Sequence, residues 1–233
     1  MKNEGNRIFQ SIVRLFYPPL CVVCKEALVR GEKYLCSPCL ADFPLADPAY
    51  QSVDIRLLME DEVVDVGSLY ALFYYNKYND YKNLVYAVKY RSGKELCVYL
   101  GRMLGGKIGD RSGVHAIVPI PLHPKREKRR GYNQARQIAM GMAEAMKVPL
   151  WDDIVCRVQD NASQTGKSAG ERQKNVENIF RLKKTDVLYG KHLLVVDDVI
   201  TTGATIKSCI RTLAEAGHVR IRLACLGRTV DCV

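Results

Sequence analysis

Two periods of apolar residues alternate along the chain from Val66 onward. The segment GSLYALFYY at 67–75 alternates small and aromatic side chains, as a strand does. Residues 78–109 instead place Leu84, Val88, Leu96, Leu100 and Leu104 at helical intervals, with Gly93 separating two helices. HAIVPIPLH at 115–123 is a short apolar run ending in prolines, and residues 130–148 set Ile138, Met142, Ala145 and Met146 on one helical stripe. HLLVVDDV at 192–199 is a continuous run rich in β-branched residues, suited to a strand buried on both faces. After it come the turn TTGAT, a helix from Ile206 closed by Gly217, and the strand VRIRLACLGR at 219–228. This alternation over 114–228 predicts an α/β domain, a parallel sheet with helices on both faces.

The amino-terminal quarter reads differently. Ile8, Ile12, Leu15 and Phe16 fit a short amphipathic helix, interrupted by Arg14 and lacking the cleavage site of a signal peptide. A cysteine cluster follows, then an acidic connector with Asp42, Asp47, Asp54, Glu60, Asp61, Glu62 and Asp65. The expected division is a small module with its connector at 1–65 and a main domain at 66–233, a size that supports one substantial core with an appendage. No apolar run approaches the ~20 residues of a membrane-spanning helix, so no integral membrane segment is expected.

Charge narrows the partners. Lys and Arg number 35 against 25 acidic residues, a net charge of +10, which favours nucleic acid or phosphate-rich substrates without choosing between them. Nine cysteines without an export signal indicate a reducing compartment, the cytoplasm, where paired cysteines more often hold metal than form disulfides.

The chemistry concentrates at VVDDVITTGATI. Open parallel sheets bind ligands at the carboxyl ends of their strands, where Asp197 and Asp198 stand. Thr201, Thr202, Gly203, Ala204 and Thr205 form a small-residue turn into a helix, whose N–H groups and hydroxyls suit a phosphate. The two carboxylates suit ribose hydroxyls and, through water, a hard divalent ion such as Mg2+. An ordinary acidic turn with a threonine cap is the plainer alternative, though it accounts for only an Asp-Thr pair.

Lys125, Arg126, Lys128, Arg129, Arg130 and Arg136 crowd a loop after Pro121, with Glu127 the one acid beside them. Such a loop holds either a pyrophosphate or the backbone of single-stranded nucleic acid, with Tyr132 offered for stacking and Asn133 beside it; a solvated basic loop is the alternative. The polar stretch at 159–178, with Gln164, Arg172 and Asn175, has the composition to close over a ligand. Its GKS is no Walker loop, because Asn161 stands where that loop needs glycine.

Cys21-x2-Cys24 and Cys36-x2-Cys39, eleven residues apart, have the two-knuckle spacing of a tetrahedral Zn2+ site with no open position, hence a structural one. Redox-active CxxC pairs or free buried thiols are the alternatives. Cys97, Cys156, Cys209, Cys225 and Cys232, and all four histidines, are scattered and read as core or surface residues.

The acidic-pair string resembles the diphosphate-sugar motif of type I phosphoribosyltransferases. With PIPLHPKREKRRGYNQA and ERQKNVENIF before it, the stretch from about Cys21 to Arg228 resembles the ComF family of competence-associated proteins. That resemblance implies a type I phosphoribosyltransferase fold behind a zinc-binding module. Asp197 and Asp198 would contact the ribose hydroxyls of phosphoribosyl diphosphate, and Thr201 to Thr205 its 5-phosphate. It further implies handling of incoming single-stranded DNA on the cytoplasmic side, peripherally at the inner membrane through partners such as an uptake helicase. The second functional reading is an active phosphoribosyltransferase using Mg2+ and an unidentified acceptor.

Overall fold

The computed structural model describes residues 17–46, 65–76, 78–90, 93–109, 113–159, 179–201 and 203–229. The expected amino-terminal helix, the connector from Asp47 to Glu62, and Gln164, Arg172, Asn175, Thr202 and Cys232 lie outside them.

A short helix α1 (Ser37–Ala41) belongs to the cysteine module. The main body follows as β1 (Asp65–Tyr75), α2 (Lys82–Ala87), α3 (Lys94–Ile108), β2 (Ala116–Pro119), α4 (Pro124–Arg130), α5 (Gln134–Met146), β3 (Val155–Arg157), β4 (Phe180–Leu182), β5 (His192–Ile200), α6 (Ala204–Ala214) and β6 (Arg220–Thr229). Four strands form one parallel sheet in the order β1-β6-β5-β2. The β-branched run of β5 earns its inner position, because Leu193 to Val196 are all buried.

Alternation along β5 divides the core in two. Leu194 and Val196 face a cluster built from α3, α5 and the cysteine module, while Leu193 and Val195 face Ile206, Cys209, Ile210 and Leu213 of α6. The module thus shares a core with the main body, with Cys21, Val23, Leu35 and Phe43 in the same cluster as Phe73, Leu84 and Leu100. Both outer strands carry extra backbone pairing. Ala46 donates its N–H to Leu72 O (3.1 Å) and Tyr74 to Pro44 O (3.1 Å), while Ile117 and Trp151 exchange with Pro149 and Ile117 at 2.9 Å each.

Helices α3 and α5 approach through glycines. A Cβ on Gly101 would stand 2.2 Å from Ile138 O, and one on Gly141 2.1 Å from Val98 O. Backbone cannot yield as a flexible side chain does, so Gly101→Ala or Gly141→Ala is expected to lower stability by about 3 kcal/mol, the upper end of ordinary overpacking. A urea titration checks this, and an unchanged midpoint would show that the helices separate freely.

The antiparallel pair β3-β4 has no counterpart in the sequence reading. Strands of three residues set no period, and these flank the polar stretch.

Candidate functional site

The acidic pair sits near the carboxyl end of β5, and the chain then turns through Gly203, whose φ of 73° suits glycine, into α6. Among the described residues no side chain caps the α6 N-terminus. A pocket of about 40 Å³ opens there, bounded by Asp197, Thr201, Gly203, Ala204 and Thr205. Amide donors at a positive helix end suit a tetrahedral oxyanion.

Both carboxylates are oriented by backbone. Asp197 Oδ1 accepts the Asp198 N–H at 2.9 Å, and Asp198 Oδ1 accepts the Val199 N–H at 2.8 Å. Burial, followed by the charge of Asp198, pushes the Asp197 carboxyl up to about 8 against the hydrogen bond from the Asp198 N–H and the weaker pull of Arg157. Its neighbours Cys209 and Cys225 are buried thiols, which burial and the Asp197 charge push up; they are inert packing. A cation or a hydroxyl donor arriving at Asp197 would therefore meet a group that gains from ionising in its company.

A larger cavity of about 430 Å³ opens over the pair. Its walls bring four cations from three separate regions: Lys89 after α2, Arg126 and Arg130 of α4, and Arg157 of β3. The basic run is not a loop, as its sequence suggests, but the helix α4. Pro124 occupies its first turn, His123 Nδ1 accepts the Lys125 N–H at 3.3 Å, and Gly131 ends it at φ 92°. Helical spacing sorts the cations: Arg126 and Arg130, four residues apart, share the cavity side, while Lys125, Lys128 and Arg129 are exposed and absent from the lining.

Asn133 also lines the cavity and has a structural task. Its Nδ2 donates to Ile120 O at 3.0 Å and its Oδ1 accepts from Arg136 N at 3.5 Å as the cap of α5. Tyr132 corrects the sequence reading, because it offers no stacking face. It is 5% exposed, and its hydroxyl lies 2.6 Å from Val88 O and 2.7 Å from Tyr90 O. The local string GYNQA cannot reveal that a distant turn covers the ring.

Tyr75, Lys89, Gln134 and Arg157 line the cavity and were not singled out in the sequence. Arg157 has the clearest prior signal, a cation bordering the polar stretch. Its guanidinium carbon lies 5.6 Å from the Phe180 ring centroid across the β3-β4 pair.

In the amino-terminal module the Sγ atoms of Cys21, Cys24, Cys36 and Cys39 all lie within 4.8 Å of one another, Cys24 and Cys36 at 3.6 Å. Four thiolates around Zn2+ at about 2.3 Å stand about 3.8 Å apart, so the donor set fits. Although burial raises the Cys21 thiol, backbone hydrogen bonds led by that from Cys36 outweigh it and lower it to about 6. Burial and the neighbouring thiols push Cys39 up. The module is docked firmly: Tyr81 OH donates to Cys39 O (2.8 Å), Asn83 Nδ2 to Val23 O (3.0 Å), and the Tyr34 and Tyr99 rings lie 5.2 Å apart.

A parallel sheet with an acidic pair at one strand end and an open small-residue turn into the next helix defines a type I phosphoribosyltransferase fold. The phosphoribosyl transferase domain family matches residues 132–229, and the double zinc ribbon domain family matches residues 12–51. The four thiols form the structural zinc site that the second match calls for.

The chain is 35% identical over 137 residues to Competence protein F of Haemophilus influenzae, covering 55% of this chain and 59% of that one. It is 31% identical over 158 residues to DNA utilization protein YhgH of Salmonella typhimurium, covering 63% and 66%. To Competence protein ComFC of Bacillus subtilis it is 37% identical over 101 residues, covering 43% and 39%. The chain is similar to these competence and DNA-utilization proteins, and it spans less than two thirds of the length of each. No helix among the described residues is long and apolar enough to cross a membrane.

Proposed function

We propose that the cavity binds phosphoribosyl diphosphate with Mg2+ and that the chain handles single-stranded DNA as an accessory of DNA uptake. The observation that carries the sugar site is the juxtaposition of two backbone-oriented carboxylates, an uncapped helix N-terminus and four cations around one cavity. Asp197 and Asp198 take the ribose hydroxyls and the ion's water shell, the turn at 201–205 takes the 5-phosphate, and Arg126 and Arg130 face the diphosphate. The bound ion supplies charge neutralisation at the diphosphate. DNA handling is supported by the net charge of +10, by the exposed cations of α4 and by the names that the relatives carry. The site works in the cytoplasm, at the inner membrane where an uptake helicase recruits it.

The sorting of the α4 cations separates the two ligands. Arg130→Ala is expected to weaken calorimetric binding of the Mg2+ complex of the diphosphate sugar about tenfold, the loss of one charge-assisted contact. Lys125→Ala and Arg129→Ala are expected to leave that titration unchanged while each lowers the salt slope of oligonucleotide binding by about one. No heat with the wild type would end the sugar reading, and a sugar that displaces DNA would join the two sites.

A second reading, turnover, rests on the intact acidic pair. The bond from ribose C1 to the diphosphate oxygen would break as an acceptor nitrogen bonds to C1, releasing pyrophosphate. Positioning and charge stabilisation suffice for such chemistry, with no protein nucleophile. Pyrophosphate release with a panel of nucleobases tests it.

A further inference from the structure

Beside the cavity lies an aromatic surface that meets the sugar site only at Lys89. Three tyrosines within thirteen residues, Tyr78, Tyr86 and Tyr90, are 74%, 57% and 66% exposed. Helix α2 explains two of them. It turns Leu84, Val85 and Val88 into the core, and its hydrogen bonding continues past its end, with Val88 N–H on Leu84 O and Lys89 N–H on Tyr86 O at 3.0 Å each. Lys82, Tyr86 and Tyr90, spaced by four, therefore share the outward side. Tyr78 stands in the preceding turn, which Asn76 fixes by accepting the N–H groups of Tyr78 and Asn79 at 2.9 Å.

The support under this face is rigid at both ends. Asn83 and Tyr81 are tied to the carbonyls of Val23 and Cys39 in the zinc module, while the Val88 and Tyr90 carbonyls sit on the buried Tyr132 hydroxyl. A platform already immobilised loses little freedom on binding. It also continues into the cavity, since Lys89 and Tyr75 line that space and the Tyr86 phenol is near enough to oppose ionisation of Tyr75. Asp80 is the single acid between Asn76 and Tyr90, against Lys77, Lys82 and Lys89.

We infer that Tyr78, Tyr86 and Tyr90, with Lys82 and Lys89, form a stacking platform for single-stranded nucleic acid that leads to the mouth of the cavity. The inference rests on the DNA-handling reading and gives it a place. Exposed aromatic faces interleaved with cations accept unpaired bases of any sequence while the lysines meet the phosphates. A duplex keeps its base faces stacked inside and gains only the lysine contacts from such a surface. The charge of the platform and of the chain as a whole matches a polyanion.

The test is fluorescence anisotropy with labelled oligo(dT) over a range of salt, comparing the full-length wild type with Tyr78→Ala/Tyr86→Ala/Tyr90→Ala and with the corresponding triple phenylalanine variant. Each lost ring is expected to weaken binding about tenfold. The salt slope stays the same, because no phosphate contact is removed. The phenylalanine variant retains affinity. None of the three tyrosines lines the cavity, so calorimetric binding of the diphosphate sugar is unchanged and reports a folded protein. Oligo(dT) affinity equal to wild type in the alanine variant overturns the platform, and the face then belongs to a protein partner. If that result accompanies losses from Lys125→Ala and Arg129→Ala, DNA handling stands without the platform. A wild type that binds no oligo(dT) at low salt removes both.

Discussion

Stripping zinc with a strong chelator, or replacing Cys36 with serine, is expected to destroy the cooperative fold and not only the amino-terminal module. Cys21 and Cys36 are themselves buried members of the cluster that contains Phe73, Leu84 and Leu100, and Phe43 packs edge-on against Phe73 and Tyr81 at 5.4 Å. Structural zinc contributes about 10 kcal/mol or more to small metal-bound domains, comparable with the whole stability of an ordinary one at about 5–15 kcal/mol. Without the ion, four thiols within 4.8 Å cannot all ionise, and the docking contacts of the module lose the centre they are built around. Elemental analysis should give one zinc per chain, and the cooperative calorimetric transition should disappear on its removal. An unaltered melt in zinc-free protein would show that side-chain packing alone holds the module.

The second large effect is at the acidic pair, where affinity and stability should move in opposite directions. Asp197→Asn or Asp198→Asn is expected to weaken binding of the Mg2+ complex of the diphosphate sugar by roughly a hundredfold, about 3 kcal/mol for a lost charge-assisted partner. Asp197→Asn should also stabilise the free protein at alkaline pH. With its folded value near 8 against 3.8 in an exposed chain, Asp197 holds its proton more tightly when folded. That contribution is complete below about pH 4 and is lost as pH rises through about 8, because over that window the native state binds more protons than the unfolded one. The variant-minus-wild-type difference in melting temperature should therefore be small near pH 4 and positive near pH 9. In the wild type at about pH 7, ligand binding should release a proton, seen as heats that vary with buffer ionisation. Heats independent of buffer would mean that Asp197 is already ionised or stays protonated in the complex.

The legible parts of the molecule are those written in contiguous residues. The buried run of β5, the turn at Gly203 and the paired CxxC knuckles each occupy a short string whose physics is local. The strand at GSLYALFYY and the helices either side of Gly93 follow from the same period counting. What escaped was assembled from far apart. Lys89 and Arg157 reach the same cavity from elements some seventy residues distant, and neither is marked by its own neighbours. Tyr132 sits in a basic string that invites a nucleic-acid role, yet the carbonyls of Val88 and Tyr90 claim its hydroxyl. The α4 helix was hidden because charge density suggests a loop, whereas His123, Pro124 and Gly131 supply a full set of helix-ending signals.

The position of β6 in the sheet has a consequence for biosynthesis. Strand β1 is finished more than a hundred residues before β6 is made, yet β6 is the strand it pairs with, from Asp65↔Arg220 to Tyr75↔Thr229. On the ribosome, β1 and the module packed beside it therefore wait with an unsatisfied edge until β6 emerges and inserts between β1 and β5. A nascent chain arrested at Gly217 would hold its zinc knuckles and the β2-β5 pair but not the strand that joins that pair to β1, and the open edge of β1 would be exposed to chaperones and proteases for most of the synthesis.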